Sequence, residues 1–347
     1  MNECYGEIIM DAYIAYIESP LQAFNLIEFL DAKNISLEIL IINKKTENSA
    51  LNYNQIMNIV DMIKYKKLVT IDVEGTLKNS FKIKSVLKGI GENSINKNRV
   101  TLIAGEYRAR VFWMLAGKFK KRNIVLLDDG TATLRINREE GISPRKIIKS
   151  FFLKSIGMVN NEFEKITFFS VYNIEEKVKK SDVVIRHCYE NYKRKLASLP
   201  SNDNKVFIIG SPLFEAGVTS VDDIQLTLNM IKDLLNSKPE SVFYYVPHRR
   251  ERAEKIKRIS ELVKVKRFDF PFEVYPLMEK ENVSSIAGFY SSLYDNLIMI
   301  YGDKIKITSY VINEANLSPE WKSFVGCIYD NYSRYNNANI ELINKVL

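Results

Sequence analysis

Short apolar runs alternate with longer amphipathic stretches along most of the chain. The runs have the length of buried β-strands, and the stretches between them repeat apolar residues at helical spacing. The predicted strands cover residues 12–17, 36–42, 67–73, 99–105, 123–127, 182–187, 205–210, 241–246, 283–288 and 304–312. The predicted helices cover about residues 20–30, 52–64, 106–119, 221–235 and 252–263, and a helical segment ends the chain. This alternation predicts mainly parallel sheets covered by helices on both faces.

The middle of the chain, from about Thr131 to Lys180, is less regular. Its sequence REEGISPRK predicts an exposed loop. The overlapping sequence PRKIIKSFFLKSIG, which begins at Pro144, predicts a basic amphipathic helix. The strand pattern resumes only after this segment.

The tripeptide Ser-Pro-Leu follows the first predicted strand, from Ser19, and also follows an early strand of the second half, from Ser211. Its two equivalent positions indicate two similar halves. We therefore predict an α/β fold with two facing Rossmann-like domains and a central cleft. The predicted domains are residues 1–175 and 176–315. Residues 316–347 are predicted to be a helical segment, for which packing against the first domain is one option.

The composition fits this organisation, because a single core rarely serves more than about 250–300 residues and the chain has 347. Fifty Lys and Arg against 42 Asp and Glu give a net charge of +8. This excess suits a phosphate-bearing ligand or an anionic membrane surface, and an ordinary soluble surface is the alternative. The basic runs KFKKR and YENYKRK are too short to support nucleic-acid binding.

Cysteine and histidine usage argues against a metal site and a disulfide framework. The three cysteines are widely spaced, at Cys4, Cys188 and Cys327, and the chain has only two histidines. The N-terminal segment contains Glu3, Glu7 and Asp11 and lacks the basic region of a signal peptide. No run of 18 apolar residues occurs. We expect a cytoplasmic protein, with peripheral contact to the inner face of an anionic membrane as a further option. Its oligomeric state stays open.

Asp128, Asp129 and Gly130 directly follow a predicted buried strand. Reacting groups of α/β proteins occupy the carboxyl ends of strands, so this pair of acids is a candidate for catalysis. Strand alternation sends the two side chains to different sides, so one of them should be structural. A solvated acidic turn and metal ligation are the alternatives.

Pro247, His248 and Arg249 follow another predicted strand and precede a helix. A histidine beside arginines at the start of a helix is suited to meeting an anion. A solvated first helical turn is the alternative. The other histidine, His187, has no such surroundings, and we interpret it as structural.

Ser291 and Ser292 lie where a strand gives way to a helix. Hydroxyl groups at this position either cap the helix or hold a phosphate together with free backbone N–H groups. Glu273 is an isolated acid among aromatic residues and prolines, and an acid of this kind often binds ribose hydroxyls.

The chain lacks the sequence motifs of P-loop NTPases, dinucleotide-binding dehydrogenases, zincins and α/β-hydrolases. From about residue 13 to residue 300 it resembles the bacterial sialyltransferases, including glycosyltransferase family 52 and the capsular polysialyltransferases. The resemblance depends on the order of Asp128-Asp129-Gly130, Pro247-His248 and Ser291-Ser292, with Glu273 between the last two. The SPLQ segment, Ser19 to Gln22, is similar to the opening of family 52-type proteins. The family usually has His-Pro, whereas here the proline comes first.

The resemblance implies a GT-B fold and an inverting, metal-independent transfer of sialic acid from CMP-sialic acid to a hydroxyl of capsule or lipooligosaccharide. No cofactor is expected. In this reading Asp128 is the base, Asp129 and Gly130 support it, and His248 donates to the departing phosphate. The other implied CMP-binding residues are Pro247, Arg249, Glu273, Ser291, Ser292, Gly210 and Ser211. Ser19 and Gln22 are expected to contact the acceptor or the donor sugar.

Two alternatives stay open at this point. The donor sugar could be another CMP-activated acid of the pseudaminic or Kdo type, because no residue in the sequence indicates which substituents of the sugar are recognised. The protein could also be a GT-B protein that binds a nucleotide or a glycan without turnover. The acceptor and the linkage formed are not determined by the sequence.

Overall fold

The computed structural model describes residues 12–44, 50–90, 100–130, 132–138, 141, 143–335 and 339–344. The chain divides into two compact units, one up to His187 and one from Cys188 onward. Each unit contains one β-sheet in which every pairing between neighbouring strands is parallel, and helices connect the strands. The predicted α/β class is confirmed.

The first unit has a seven-stranded sheet. Its strands are β1 (Ala12–Ile17), β2 (Leu37–Asn43), β3 (Tyr65–Ile71), β4 (Val100–Ala104), β5 (Arg122–Leu127), β6 (Ile166–Ser170) and β7 (Val183–Arg186). Its described helices are α1 (Pro20–Lys33), α2 (Ala50–Met57), α3 (Ser80–Leu87), α4 (Arg110–Ala116) and α5 (Pro144–Ser155).

The second unit has a six-stranded sheet. Its strands are β8 (Lys205–Ile209), β9 (Val242–Val246), β10 (Lys264–Val265), β11 (Ser285–Gly288), β12 (Lys306–Tyr310) and β13 (Asn339–Ile343). Its described helices are α6 (Glu190–Leu196), α7 (Ile224–Ser237), α8 (Ala253–Ser260), α9 (Tyr275–Glu279), α10 (Ser292–Tyr301) and α11 (Pro319–Ser333).

Strand order is the same in both sheets. The first sheet runs β3-β2-β1-β4-β5-β6-β7 and the second β10-β9-β8-β11-β12-β13. Counted within each unit, the first six strands of both follow the Rossmann order 3-2-1-4-5-6. The order reverses between β1 and β4 and again between β8 and β11. Ligands of open parallel sheets bind at such a reversal, outside the carboxyl ends of the strands.

The two Ser-Pro-Leu segments follow β1 and β8, which are the equivalent strands of the two sheets. The local structures nevertheless differ. Ser19 caps α1 with its hydroxyl group, and Pro20 occupies the first turn, where its missing N–H costs nothing. Ser211-Pro212 begins an irregular segment instead, and the next helix, α7, starts only at Ile224.

The ends of the units lie at other residues than expected. The sequence placed the first boundary after residue 175, but β7 pairs with β6 and therefore belongs to the first unit. The segment 316–347 contains α11 and also β13, which pairs with β12 in the second sheet. The strand β6 was not predicted at all, because it lies in the irregular middle of the chain.

Several residues named from the sequence lie outside the described part of the chain: Glu3, Cys4, Glu7, Asp11, Arg99, Thr131, Glu139, Glu140 and Ile142. In the described part, none of the helices has both the length and the apolar character needed to cross a membrane. The basic helix expected from Pro144 is confirmed as α5.

A buried ionic cluster holds the loops after β8 and β9 of the second unit. The ammonium group of Lys255 in α8 is fully buried and lies 2.7 Å from Asp223 and 2.8 Å from Glu251. It also donates to the backbone oxygen of Ser211 at 2.9 Å. Tyr245 of β9 donates its hydroxyl to Glu251 at 2.6 Å. One lysine thus neutralises two buried acids.

Replacing Lys255 with methionine should lower the free energy of unfolding by about 3–5 kcal/mol, because two buried carboxylates lose their cation. Urea unfolding followed by circular dichroism measures this. Arg258→Met is the matched control in the same helix, since Arg258 lies 3.8 Å from Glu261 at an exposed site and its loss should cost less than about 1 kcal/mol. Equal losses in the two variants would contradict the role of the cluster.

Candidate functional site

A cavity of about 320 Å³ opens beyond the carboxyl ends of β4 and β5 in the first unit. It is lined by Gly105, Glu106, Tyr107, Arg108, Asp129, Ala132, Thr133, Arg135, Ile136 and Asn137. It lies on the side of β1 where the strand order reverses. The cavity therefore occupies the position at which this kind of sheet binds its ligand.

Asp128 points into the protein rather than into the cavity. It is 1% exposed, and its carboxyl group accepts hydrogen bonds from the Ser170 hydroxyl and the Val171 backbone N–H, both at 2.7 Å. Burial raises the pKa of Asp128 to about 7, although the hydrogen bonds from Ser170 and Val171 act to lower it. Asn25 also donates to its backbone oxygen at 2.9 Å. Asp128 ties the end of β5 to the end of β6.

Asp129 is half-buried and lines the cavity. One of its carboxylate oxygens accepts hydrogen bonds from the Ser19 hydroxyl at 3.3 Å and from the Gln22 side chain at 3.1 Å. The SPLQ segment thus orients Asp129, a contact that the sequence did not predict. Gly130 has φ 62°, a left-handed conformation that glycine adopts without strain, and it turns the chain away after the acid.

The proton acceptor was placed at Asp128 from the sequence. In the structure both oxygens of its carboxyl group already accept hydrogen bonds, one from Ser170 of β6 and one from Val171, the residue after β6, and water has almost no access to them. Asp129 is the acid that faces the cavity. We therefore move the proposed base from Asp128 to Asp129.

Glu106 is a third acid of this site, although the sequence pattern predicts it only as the start of a helix. It follows β4 and lines the same cavity as Asp129, and the two carboxyl groups are close enough for their charges to interact. Burial, and then the neighbouring charge of Asp129, raise the pKa of Glu106 above its ordinary value. Its place directly after a buried strand was the signal that could have identified it.

In the second unit, the segments that follow β8, β9 and β11 are joined by hydrogen bonds. Gly210 donates its N–H to Val246 at 2.9 Å, and the Ser211 hydroxyl donates to the Tyr290 backbone oxygen at 3.4 Å. A Cβ atom on Gly210 would collide with the Glu251 carboxylate and lie 2.9 Å from the His248 nitrogen. Glycine is therefore needed where these segments meet.

Glu251 fixes the backbone of the Pro247-His248 turn, since it accepts the His248 N–H at 2.7 Å. The imidazole Nδ1 of His248 accepts the Arg250 N–H at 3.2 Å. Burial, followed by the charges of Arg249 and Arg250, lowers the pKa of His248 to about 3. The ring is therefore neutral at physiological pH and carries its proton on Nε2, the nitrogen that can donate to a ligand.

Ser291 and Ser292 begin α10. The Ser291 hydroxyl caps the helix by accepting the Leu293 N–H at 3.2 Å, which is the first of the two roles predicted for this position. Tyr332 of α11 holds the backbone of Ser291, because its hydroxyl group donates to the Ser291 backbone oxygen at 2.9 Å and accepts the Ser291 N–H at 3.1 Å. This fixed N-terminus of a ten-residue helix is the place where an anion would be stabilised.

Glu273 is 8% exposed and lies against α10. Its carboxylate accepts a hydrogen bond from the Asn296 side chain at 3.2 Å, and Tyr192 donates to its backbone oxygen at 2.6 Å. Burial raises the pKa of Glu273 above its ordinary value. The ribose-binding role stays a prediction, because this acid already has a partner inside the unit.

The structure thus groups the predicted site residues by unit. Ser19, Gln22 and Asp129 meet at one end of the first sheet, with Asp128 buried behind them. The second group consists of Gly210, Ser211, Pro247, His248, Arg249, Ser291 and Ser292, at the carboxyl ends of β8, β9 and β11. His187 stacks on Phe169 at 3.9 Å, in agreement with its structural interpretation. Among the described residues, no three His, Cys, Asp or Glu side chains are arranged as a metal site.

The family model of alpha-2,8-polysialyltransferases matches residues 13–311 of the chain. No curated sequence matches it. Among solved structures it is similar to an alpha/beta-galactoside alpha-2,3-sialyltransferase from the luminous marine bacterium Photobacterium phosphoreum, with 12% identity, a TM-score of 0.56, and coverage of 97% of this chain and 100% of that chain. Phytolacca americana UGT2, complexed with UDP-2fluoro-glucose and pterostilbene, has 11% identity, a TM-score of 0.47, and coverage of 96% of this chain and 86% of its own.

The family match covers most of the chain, and the first structural likeness shows the fold. The resemblance to bacterial sialyltransferases that the sequence motifs indicated is confirmed. The chain belongs to the alpha-2,8-polysialyltransferase family and is a glycosyltransferase with the GT-B fold.

Proposed function

We propose that the protein transfers sialic acid, with inversion, from CMP-sialic acid to a hydroxyl group of a cell-surface glycan such as capsule or lipooligosaccharide. The observation that carries the proposal is the different chemistry at the two strand-order reversals. The first unit has carboxyl groups there, at Glu106 and Asp129. The second unit has hydrogen-bond donors, at His248 and at the start of α10. Glycosyl transfer needs a base for the acceptor and donors for the leaving group.

In the first unit, Asp129 is the proposed base. Ser19 and Gln22 hold one oxygen of its carboxylate, which fixes the direction in which the other can accept a proton. An ordinary aspartate is a weak base, so its proton transfer comes late and depends on position more than on pKa. Burial and the neighbouring charge of Asp129 raise the pKa of Glu106 beside it above its ordinary value.

In the second unit, the proposed ligand is the CMP part of the donor. The neutral imidazole of His248 donates its Nε2 proton to the phosphate, and Ser292 with the first N–H groups of α10 adds further donors. Charge develops on this phosphate as the bond to the sugar breaks, and fixed donors stabilise such charge without reorganisation. The transition state at the sugar is oxocarbenium-like, as in other glycosyl transfers.

The acceptor proposed here carries sialic acid itself, in line with the alpha-2,8 linkage in the family's name. A sialylated acceptor has a carboxylate at each sugar residue. Arg108 and Arg135 line the same cavity as the proposed base, and guanidinium groups bind carboxylates in a bidentate manner. The cavity therefore offers both a base for the hydroxyl and cations for the carboxylate of one acceptor.

Asp129→Asn should reduce turnover by about 10²–10⁴-fold, because the hydroxyl of the acceptor loses its base. Asp128→Asn is the matched control. It should keep most of the turnover, since an amide can accept from Val171 and donate to the Ser170 oxygen in the same place. Transfer from CMP-sialic acid to a sialylated oligosaccharide measures both. Loss of activity in Asp128→Asn with retention in Asp129→Asn would return the role of base to Asp128.

The proposed role of His248 predicts a particular pH dependence. Since its pKa lies near 3, the ring stays neutral from pH 5.5 to pH 8.0 and its contribution to CMP binding should not change over that range. The ratio of CMP dissociation constants of His248→Gln and the native protein, measured by calorimetry at several pH values, should therefore be constant. The ratio controls for titration of the phosphate, and His187→Gln controls for the other histidine. A ratio that falls about tenfold per unit above pH 6.5 would show that the cation is needed.

We also propose that transfer proceeds without a metal ion, because His248 and α10 supply the donors for the leaving phosphate. Activity should persist after dialysis against EDTA, measured as CMP release with acceptor present. Loss of activity that Mn²⁺ or Mg²⁺ restores would contradict this and would assign the Glu106–Asp129 pair to a metal.

A further inference from the structure

The helix α5 carries the largest group of exposed apolar side chains on any described helix. Ile147 is 43% exposed, Ile148 70%, Phe151 71% and Phe152 53%. At about 100° per residue these four positions span an arc of about 140° on one side of the helix. Exposed apolar side chains scattered singly are ordinary, but a contiguous group of this kind marks an interaction surface.

Basic side chains border this apolar arc on both sides. On the helical wheel, Arg145 and Lys149 lie next to Phe152, and Lys154 lies next to Ile147. All three basic residues are exposed. No Asp or Glu occurs between Ser143 and Met158 in the sequence.

The opposite side of α5 attaches the helix to the first unit. Leu153 is its buried residue, and Asn160 donates to the Lys146 backbone oxygen at 3.4 Å. Lys146 itself lies 3.6 Å from Glu162. Ser143 caps the first turn by accepting the Lys146 N–H at 3.3 Å. The helix is therefore fixed with its apolar arc outward.

We propose that α5 binds the surface of an anionic lipid bilayer. An apolar arc between two rows of cations is the pattern of helices that lie in the membrane interface, with phenylalanine in the acyl region and lysine at the headgroups. A second copy of this chain fits the surface less well, because pairing two such helices would bring their like charges together. The net charge of +8 favours the same anionic partner.

Flotation with lipid vesicles tests the proposal on the full-length protein. The native protein should float with vesicles of phosphatidylcholine and phosphatidylglycerol, float far less with phosphatidylcholine alone, and dissociate as salt is raised. The double variant Ile148→Ser, Phe151→Ser should lose at least about tenfold in partitioning, because two apolar side chains no longer enter the bilayer. Lys149→Gln with Lys154→Gln should weaken binding only to the anionic vesicles.

Phe81→Ser is the matched control, because Phe81 is 86% exposed on another helix, α3. It should float like the native protein. Transfer to a soluble acceptor should be unchanged in the α5 variants, which shows that they are folded. Failure of the native protein to bind anionic vesicles would overturn the proposal, as would full binding by the double variant. If the native protein is a dimer, the double variant is a monomer and neither binds vesicles, the apolar arc is a contact surface for a second copy of the chain.

Discussion

The place of the first strand in each sheet is the constraint on which the rest of the structure depends. β1 pairs with β2 on one side and with β4 on the other, and β8 pairs in the same way with β9 and β11. The chain passes from β1 to β2 on one side and from β4 to β5 on the other, and in the same way from β8 to β9 and from β11 to β12, so the loops at the carboxyl ends of these central strands separate. The residues proposed to bind or react, except Glu273, lie in the segments that follow β1, β4 and β5 in the first unit and β8, β9 and β11 in the second.

In both units an inward-facing acid supports a neighbour that faces outward. Asp128 is bound by donors from the end of β6 and leaves Asp129 to the cavity. Glu251, neutralised by Lys255, holds the backbone of His248 and leaves its imidazole available. The buried charges need their partners to be tolerated at all. Burying these charges costs desolvation free energy, but their hydrogen bonds hold each loop in a fixed shape. A fixed loop is what the positioning of a reacting group requires.

The sequence predicted the strands before these loops well, because β1, β5 and β8 are buried apolar runs followed by an acid or a glycine, and β11 is a buried run that ends in a glycine. It could not determine which of two adjacent acids faces the cavity. The orientation of the two acids depends on β6, a five-residue strand in an irregular segment of the chain. Ser170 of β6 reaches Asp128 only because β6 pairs with β5, from which it is distant in sequence.

Other features depended on contacts that no periodicity encodes. Lys255 is one of two lysines in the charged helix α8, and only the fold shows that it is buried between two acids. The neutral state of His248 depends on burial and on two arginines beside it. β13 follows a helix near the end of the chain and becomes recognisable through its pairing with β12.

The central claim is that the reversal in the second sheet binds the nucleotide while the reversal in the first does not. Hydrogen–deuterium exchange of the full-length protein with and without CMP tests it directly. The account predicts slower exchange in residues 209–213, 246–252 and 288–293, and unchanged exchange in residues 105–110 and 128–136. Protection of the first-unit segments alone, or no protection in the second unit at saturating CMP, would contradict it.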